Sequence, residues 1–170
     1  MRKGEPMDFR EKLERLARIV PGIAGYQDRE KSRDTDKAVR IKLSRDLEQI
    51  KLRIEGDKRK LMEKNDLSPL TALDRIASKL DKTIDLVKYA SRGYSGIFDI
   101  SRVGQNKLNK LYAFDLGLFD NMKLIEAAAG VLRDSSGDMA SLKNAIQKLE
   151  ETVDCFEKNF LTRQDLLSAE

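Results

Sequence analysis

Histidine is absent from the 170 residues, so the side chain whose ordinary pKa lies closest to neutrality is not available for proton transfer or as an imidazole ligand. This removes Ser–His and Cys–His nucleophile systems, and it removes the diiron bundle site, which needs Glu-x-x-His on two helices. No Gly-x-Ser-x-Gly turn is present either. A Ser–Lys pair stays open on composition alone, although Ser78-Lys79 reads as ordinary helix surface. The single cysteine, Cys155, precludes an internal disulfide and a multi-cysteine zinc knuckle, and it suits a reducing compartment. Set among Val153, Phe156 and Phe160, Cys155 is expected to be inert and partly buried. Three prolines are too few for a Pro-rich linker protein.

Long apolar runs are also missing. The longest, from Leu124 to Leu132, is broken by Glu126 and falls far short of the roughly 20 residues that span a bilayer. Met1-Arg2-Lys3 leads into Gly4-Glu5-Pro6 without the apolar stretch of a signal peptide, so no transmembrane segment and a cytoplasmic location are expected.

What the chain does contain is helical periodicity. From Asp8 to Val20, the residues Phe9, Leu13, Leu16 and Val20 form one stripe; Asp8 can cap this helix and Pro21-Gly22 ends it. A long segment from about residue 28 to 65 repeats Leu43, Leu47, Ile50, Ile54 and Leu61 near heptad spacing, with Gly56 as a weak point. Ser68-Pro69 supplies a hydroxyl cap followed by proline at the first helical position. The helix after it carries Leu73, Ile76, Leu80, Ile84 and Val87. Gln105 to Asp134 and a helix from about Asp138 complete the set. The expected fold is all-α, a mostly antiparallel four-helix bundle with an additional short N-terminal helix. Residues 1–27 form the N-terminal helix and its turn, 28–161 the bundle, and 162–170 a C-terminal tail. The first long helix outruns the second, so something must cover its overhang.

Charge is unevenly distributed. Residues 1–65 carry 19 Lys or Arg against 13 Asp or Glu, a net +6, whereas residues 66–170 carry 14 against 16, a net −2. A basic half attracts an acidic protein, nucleic acid or anionic lipid. Basic and acidic residues alternate within it, as in Arg29-Glu30-Lys31-Ser32-Arg33-Asp34, and no nucleic-acid-binding motif occurs. The interaction residues expected from sequence are Arg29, Arg33, Lys37 and Arg40 on the basic helix. To these are added Arg92, Tyr94 and Phe98 at the glycine-containing joint Arg92-Gly93-Tyr94-Ser95-Gly96.

Asp115 breaks the inward stripe Leu108, Leu111, Leu118, Met122, where an apolar residue belongs. A buried carboxylate there requires a partner, which an arginine, a tyrosine hydroxyl or a helix end can supply, with Arg33, Arg40 and Arg92 as the arginines in view. Carboxylates at helical spacing, such as Asp81 with Asp85, leave oxygen coordination of Mg²⁺ or Ca²⁺ open, but no Ca²⁺-loop pattern occurs, and no metal, cofactor or catalytic residue is assigned. The resulting expectation is a protein-interaction or assembly module with another protein as partner, homo-oligomers included. The alternative is a nucleic-acid or anionic-membrane binder, and a small enzyme centred on Asp115 is the third reading.

Overall fold

The computed structural model describes residues 7–23, 29–63, 68–90, 105–135 and 138–168. They form five helices: α1 (Phe9–Ile19), α2 (Arg29–Glu63), α3 (Leu70–Tyr89), α4 (Gln105–Asp134) and α5 (Met139–Ser168). The expected all-α bundle with a short N-terminal helix is what the chain adopts. Helix α2 packs on α3 and α4, and α5 packs on α4 and α3, while α1 lies against α4. The order around the bundle is therefore α2, α3, α5, α4. Two hairpins, α2/α3 and α4/α5, lie side by side, with α3 and α4 on a diagonal.

Ion pairs give the relative directions. Lys51 meets Asp81 and Lys58 meets Asp74, so α2 and α3 are antiparallel. Arg75 meets Glu150 and Lys79 meets Asp154, so α3 and α5, from different hairpins, run parallel.

The ends follow local chemistry. Asp8 caps α1 in a capping box, its carboxylate accepting from the Glu11 N–H at 2.9 Å while Glu11 accepts from the Asp8 N–H at 3.2 Å. Beyond the helix Gly22 takes φ +86°, a value a side chain would resist. Helix α3 starts one residue later than expected: Pro69 is the cap residue, makes no side-chain cap bond, and leaves Ser68 in the preceding turn. Helix α2 passes through Gly56 without interruption. Helix α5 continues to Ser168, through residues that the sequence reading assigns to a tail.

One core runs through all five helices. Leu43, Leu47, Leu73, Leu80, Leu118, Leu149 and Phe156 are all buried, and each such side chain contributes about 1.5–3 kcal/mol. Helix α1 joins that core through Leu16 and Val20, and Phe9 meets Tyr112 edge-on with ring centroids 5.0 Å apart. Its apolar stripe is thus spent on the bundle. Arg40 donates to the Lys88 carbonyl, so α2 upstream of Arg40 extends past the end of α3, by about 16 Å for eleven residues. Helices α4 and α5 continue alongside this overhang.

Candidate functional site

The polar centre of the molecule lies at that overhang. Seam positions of α2 run Ile54, Ile50, Leu47, Leu43 back toward the N-terminus at alternating steps of four and three, and the next two positions are Arg40 and Asp36. The α5 seam runs Leu149, Val153, Phe156, Phe160 and reaches Arg163. In α4, Asp115 stands between Leu111 and Leu118. Three apolar seams therefore turn polar at one level, where two acids and two bases converge with zero net charge.

Their geometry is a chain of paired charges. The Nε of Arg163 donates to Oδ1 of Asp115 at 2.5 Å. Its Nη2 lies 2.8 Å from Oδ1 of Asp36, an ionic contact that lacks good hydrogen-bond angles. Asp36 accepts from Nε of Arg40 at 2.8 Å, and Nη1 of Arg40 donates to the Lys88 carbonyl at 3.1 Å. Asp115 is fully buried and Arg163 is 1% exposed. A guanidinium can satisfy two carboxylates from one plane, which a lysine ammonium cannot do with the same fork geometry. The four groups face one another, and their arrangement ties α2, α4, α5 and the end of α3 into one register.

The sequence places Asp115 inside with an arginine, a tyrosine hydroxyl or a helix end as its partner; the partner is an arginine, but Arg163 rather than Arg33, Arg40 or Arg92. Arg40 belongs to the same network through Asp36, at one remove from Asp115. This corrects the placement of Arg40 on an interaction surface: it is 7% exposed because it occupies a seam position. Lys37 is exposed. Arg29 and Arg33 lie on the first turns of α2, with side chains outside the described residues, and Arg92, Tyr94 and Phe98 lie outside them altogether. Cys155 is exposed rather than partly buried. It sits between Val153 and Phe156 but off their stripe, where the side-chain amides of Asn121 and Asn159 approach its sulfur at 3.8 and 3.6 Å.

The basic excess of α2 is largely taken up by neighbouring helices. Lys51 and Lys58 pair with α3, and Arg53 pairs with Glu126 of α4. Asp81 holds the Lys51 ammonium above its usual pKa of 10.5 chiefly by accepting its hydrogen bond. Of the described α2 cations, Lys37, Arg45 and Arg59 have no ion pair, and the first two stand one turn before and one turn after Ile41, itself 46% exposed. Beside them Arg40, Ile41, Ser44, Arg45, Glu48 and Lys88 line a cleft of about 230 Å³. A second cleft, about 340 Å³, lies at the end of α1 over Ile19, Ile50, Phe119 and Met122, but its cations Lys42, Arg53 and Lys123 are all paired.

Of the two carboxylates that sequence spacing left open for a metal, Asp81 is engaged by Lys51; on α4, Asp120 is held by Arg15 of α1 and by Lys123. Among the described residues no group of three or more Cys, Asp or Glu side chains is placed to hold a metal ion, and no helix is long and apolar enough to cross a membrane. The sequence matches no protein-family model, and neither curated proteins nor solved structures give a significant match.

Proposed function

We propose that this all-helical protein is an interaction or assembly module that captures an acidic segment of another protein on the outer face of α2. The observation that carries the reading is the sequence Lys37, Ile41, Arg45 at one-turn spacing: an exposed apolar residue between two cations with no intramolecular acid. Elsewhere on α2 the cations at Lys51, Arg53 and Lys58 are neutralised across helix boundaries and Arg59 donates to the Glu55 carbonyl with no apolar residue set between it and a second unpaired cation, so an incoming acidic and apolar segment gains most at Lys37, Ile41 and Arg45. The cleft beside Ile41 offers room for an apolar anchor, and Tyr89, 56% exposed, follows the cleft residue Lys88.

The test is capture from native lysate by the purified protein, washed at low and high salt, comparing wild type with Lys37→Glu/Arg45→Glu and with Ile41→Asp. A discrete protein held by the wild type at high salt and lost by both variants supports the reading. Equal capture by the variants overturns the placement. Recovery of nucleic acid or lipid alone, only at low salt, transfers the assignment to the electrostatic alternative, because phosphate-driven binding weakens steeply with salt.

A further inference from the structure

The outward face of α4 has the period of a helical seam, yet among the described residues no helix covers its stretch from Leu124 to Val131. Ala113, Gly117, Asp120, Leu124, Ala127 and Val131 follow at alternating steps of four and three, the spacing that keeps one face turned toward a partner helix. Helices α1, α2 and α5 take the other sides of α4, and α1 reaches the stripe itself at Asp120, through Arg15. Leu124 is 57% and Val131 54% exposed, and Ala127 between them is exposed too. A methyl group added at Gly117 would meet nothing within 4 Å, so internal packing does not call for glycine there.

We propose that this face pairs with the same face of a second copy, antiparallel, about a two-fold axis beside Ala127. Shape and charge both favour this occupant. The alanine at the axis lets the helix backbones approach closely, and the flanking large residues then alternate, Leu124 against Val131 of the partner subunit and the reverse. Lys123 and Asp134 lie on one flank of the stripe, eleven residues apart. An antiparallel two-fold sets that flank against itself, so Lys123 opposes Asp134 of the partner subunit twice. A parallel pair would instead hold identical residues level and leave these charges about 16 Å apart along the axis.

Both groups are free to change partners. Lys123 now meets Asp120 at 3.0 Å and Asp134 meets Arg133 at 3.5 Å, in exposed pairs that contribute little to the monomer. One helix face is smaller than a standard interface, so the dimer is weak and concentration-dependent.

Sedimentation equilibrium of the full chain over a concentration series tests the proposal. Wild type should show a monomer–dimer equilibrium, and Leu124→Asp should be monomeric. Lys123→Asp and Asp134→Lys should each weaken the dimer about tenfold, since each change acts twice. The double exchange Lys123→Asp/Asp134→Lys should restore it, which a misfolded variant could not do. In a Cys155→Ser background, Ala127→Cys should cross-link to itself under oxidation much faster than Leu124→Cys. Monomer at every concentration, failure of the double exchange, or equal cross-linking at the two cysteine positions would overturn the antiparallel pairing.

Discussion

Arg163 and Asp115 meet through a 2.5 Å hydrogen bond between residues 48 positions apart, both shut away from water, and the same guanidinium reaches Asp36 on a third helix. One side chain thereby links α2, α4 and α5. Removing one partner of such a pair leaves the other charged and buried without compensation, whereas removing both leaves no stranded charge.

Asp115→Leu and Arg163→Met should therefore each destabilise the fold by about 3–5 kcal/mol. The double variant should be markedly more stable than either, because Asp36 and Arg40 remain a neutral pair. Urea unfolding followed by circular dichroism measures all three. Additive losses in the double variant would show that the pair is not energetically coupled.

Arg40 and Lys37 are both cations of α2, only three residues apart, but reversing their charge should have very different effects. Arg40→Glu puts a carboxylate beside Asp36 in a buried site and should cost about 3–5 kcal/mol. Lys37→Glu changes an exposed residue and should stay within about 0.5 kcal/mol of wild type. Thermal melts of the two variants make the comparison. It also explains why binding tests should use Lys37 and Arg45: loss of capture by an Arg40 variant would report unfolding.

Asp138 opens α5, and its carboxylate accepts from the Ser141 N–H at 2.9 Å. Hydrogen bonds from Ser141, its hydroxyl first and its backbone second, hold the Asp138 carboxyl below the ordinary value of 3.8. A depressed folded pKa means that the stabilisation is complete above the unfolded value and is lost as pH falls through the folded one. Asp138→Ala should lower stability at neutral pH and flatten that part of the acid limb lying below pH 3.8. Denaturant midpoints across this range supply the test, and parallel acid limbs for variant and wild type would contradict it.

The exposure of Cys155 predicts that a thiol reagent modifies the native protein fully, without denaturant and with no loss of helicity. Modification that requires unfolding would return this residue to the partly buried, inert position expected from Val153, Phe156 and Phe160.

Periodicity reveals most of the architecture because apolar residues recur where the helices meet: Leu43, Leu47 and Ile50 are legible, and buried, for the same reason. Asp115 is legible as an exception inside such a stripe. Asp36, Arg40 and Arg163 carry the same signal in another form. Extending the α2 and α5 seams by their own steps reaches all three residues, but they lie at the ends of the stripes, where a charged residue ordinarily marks the start of solvent. Their pairing could not be read from spacing, since it depends on α5 crossing the bundle to meet α2. The diagonal order of α3 and α4 is likewise a tertiary outcome that short-range pattern does not encode.

That side-by-side placement of two hairpins bears on how the chain folds. Within the first hairpin, ion pairs close over 16, 30 and 40 residues; between hairpins, those joining α2 to α4 and α3 to α5 close over 73 and 75. Contacts at short separation form with less loop entropy, so each hairpin is a local folding unit and their docking is the slow search. Docking must also find one alignment, because a slip of α5 by a single heptad would move Arg163 away from Asp115 and Asp36 and set it against leucine. The charges that cost most to bury thus act as a proofreading step, rejecting assemblies that an all-leucine seam would accept.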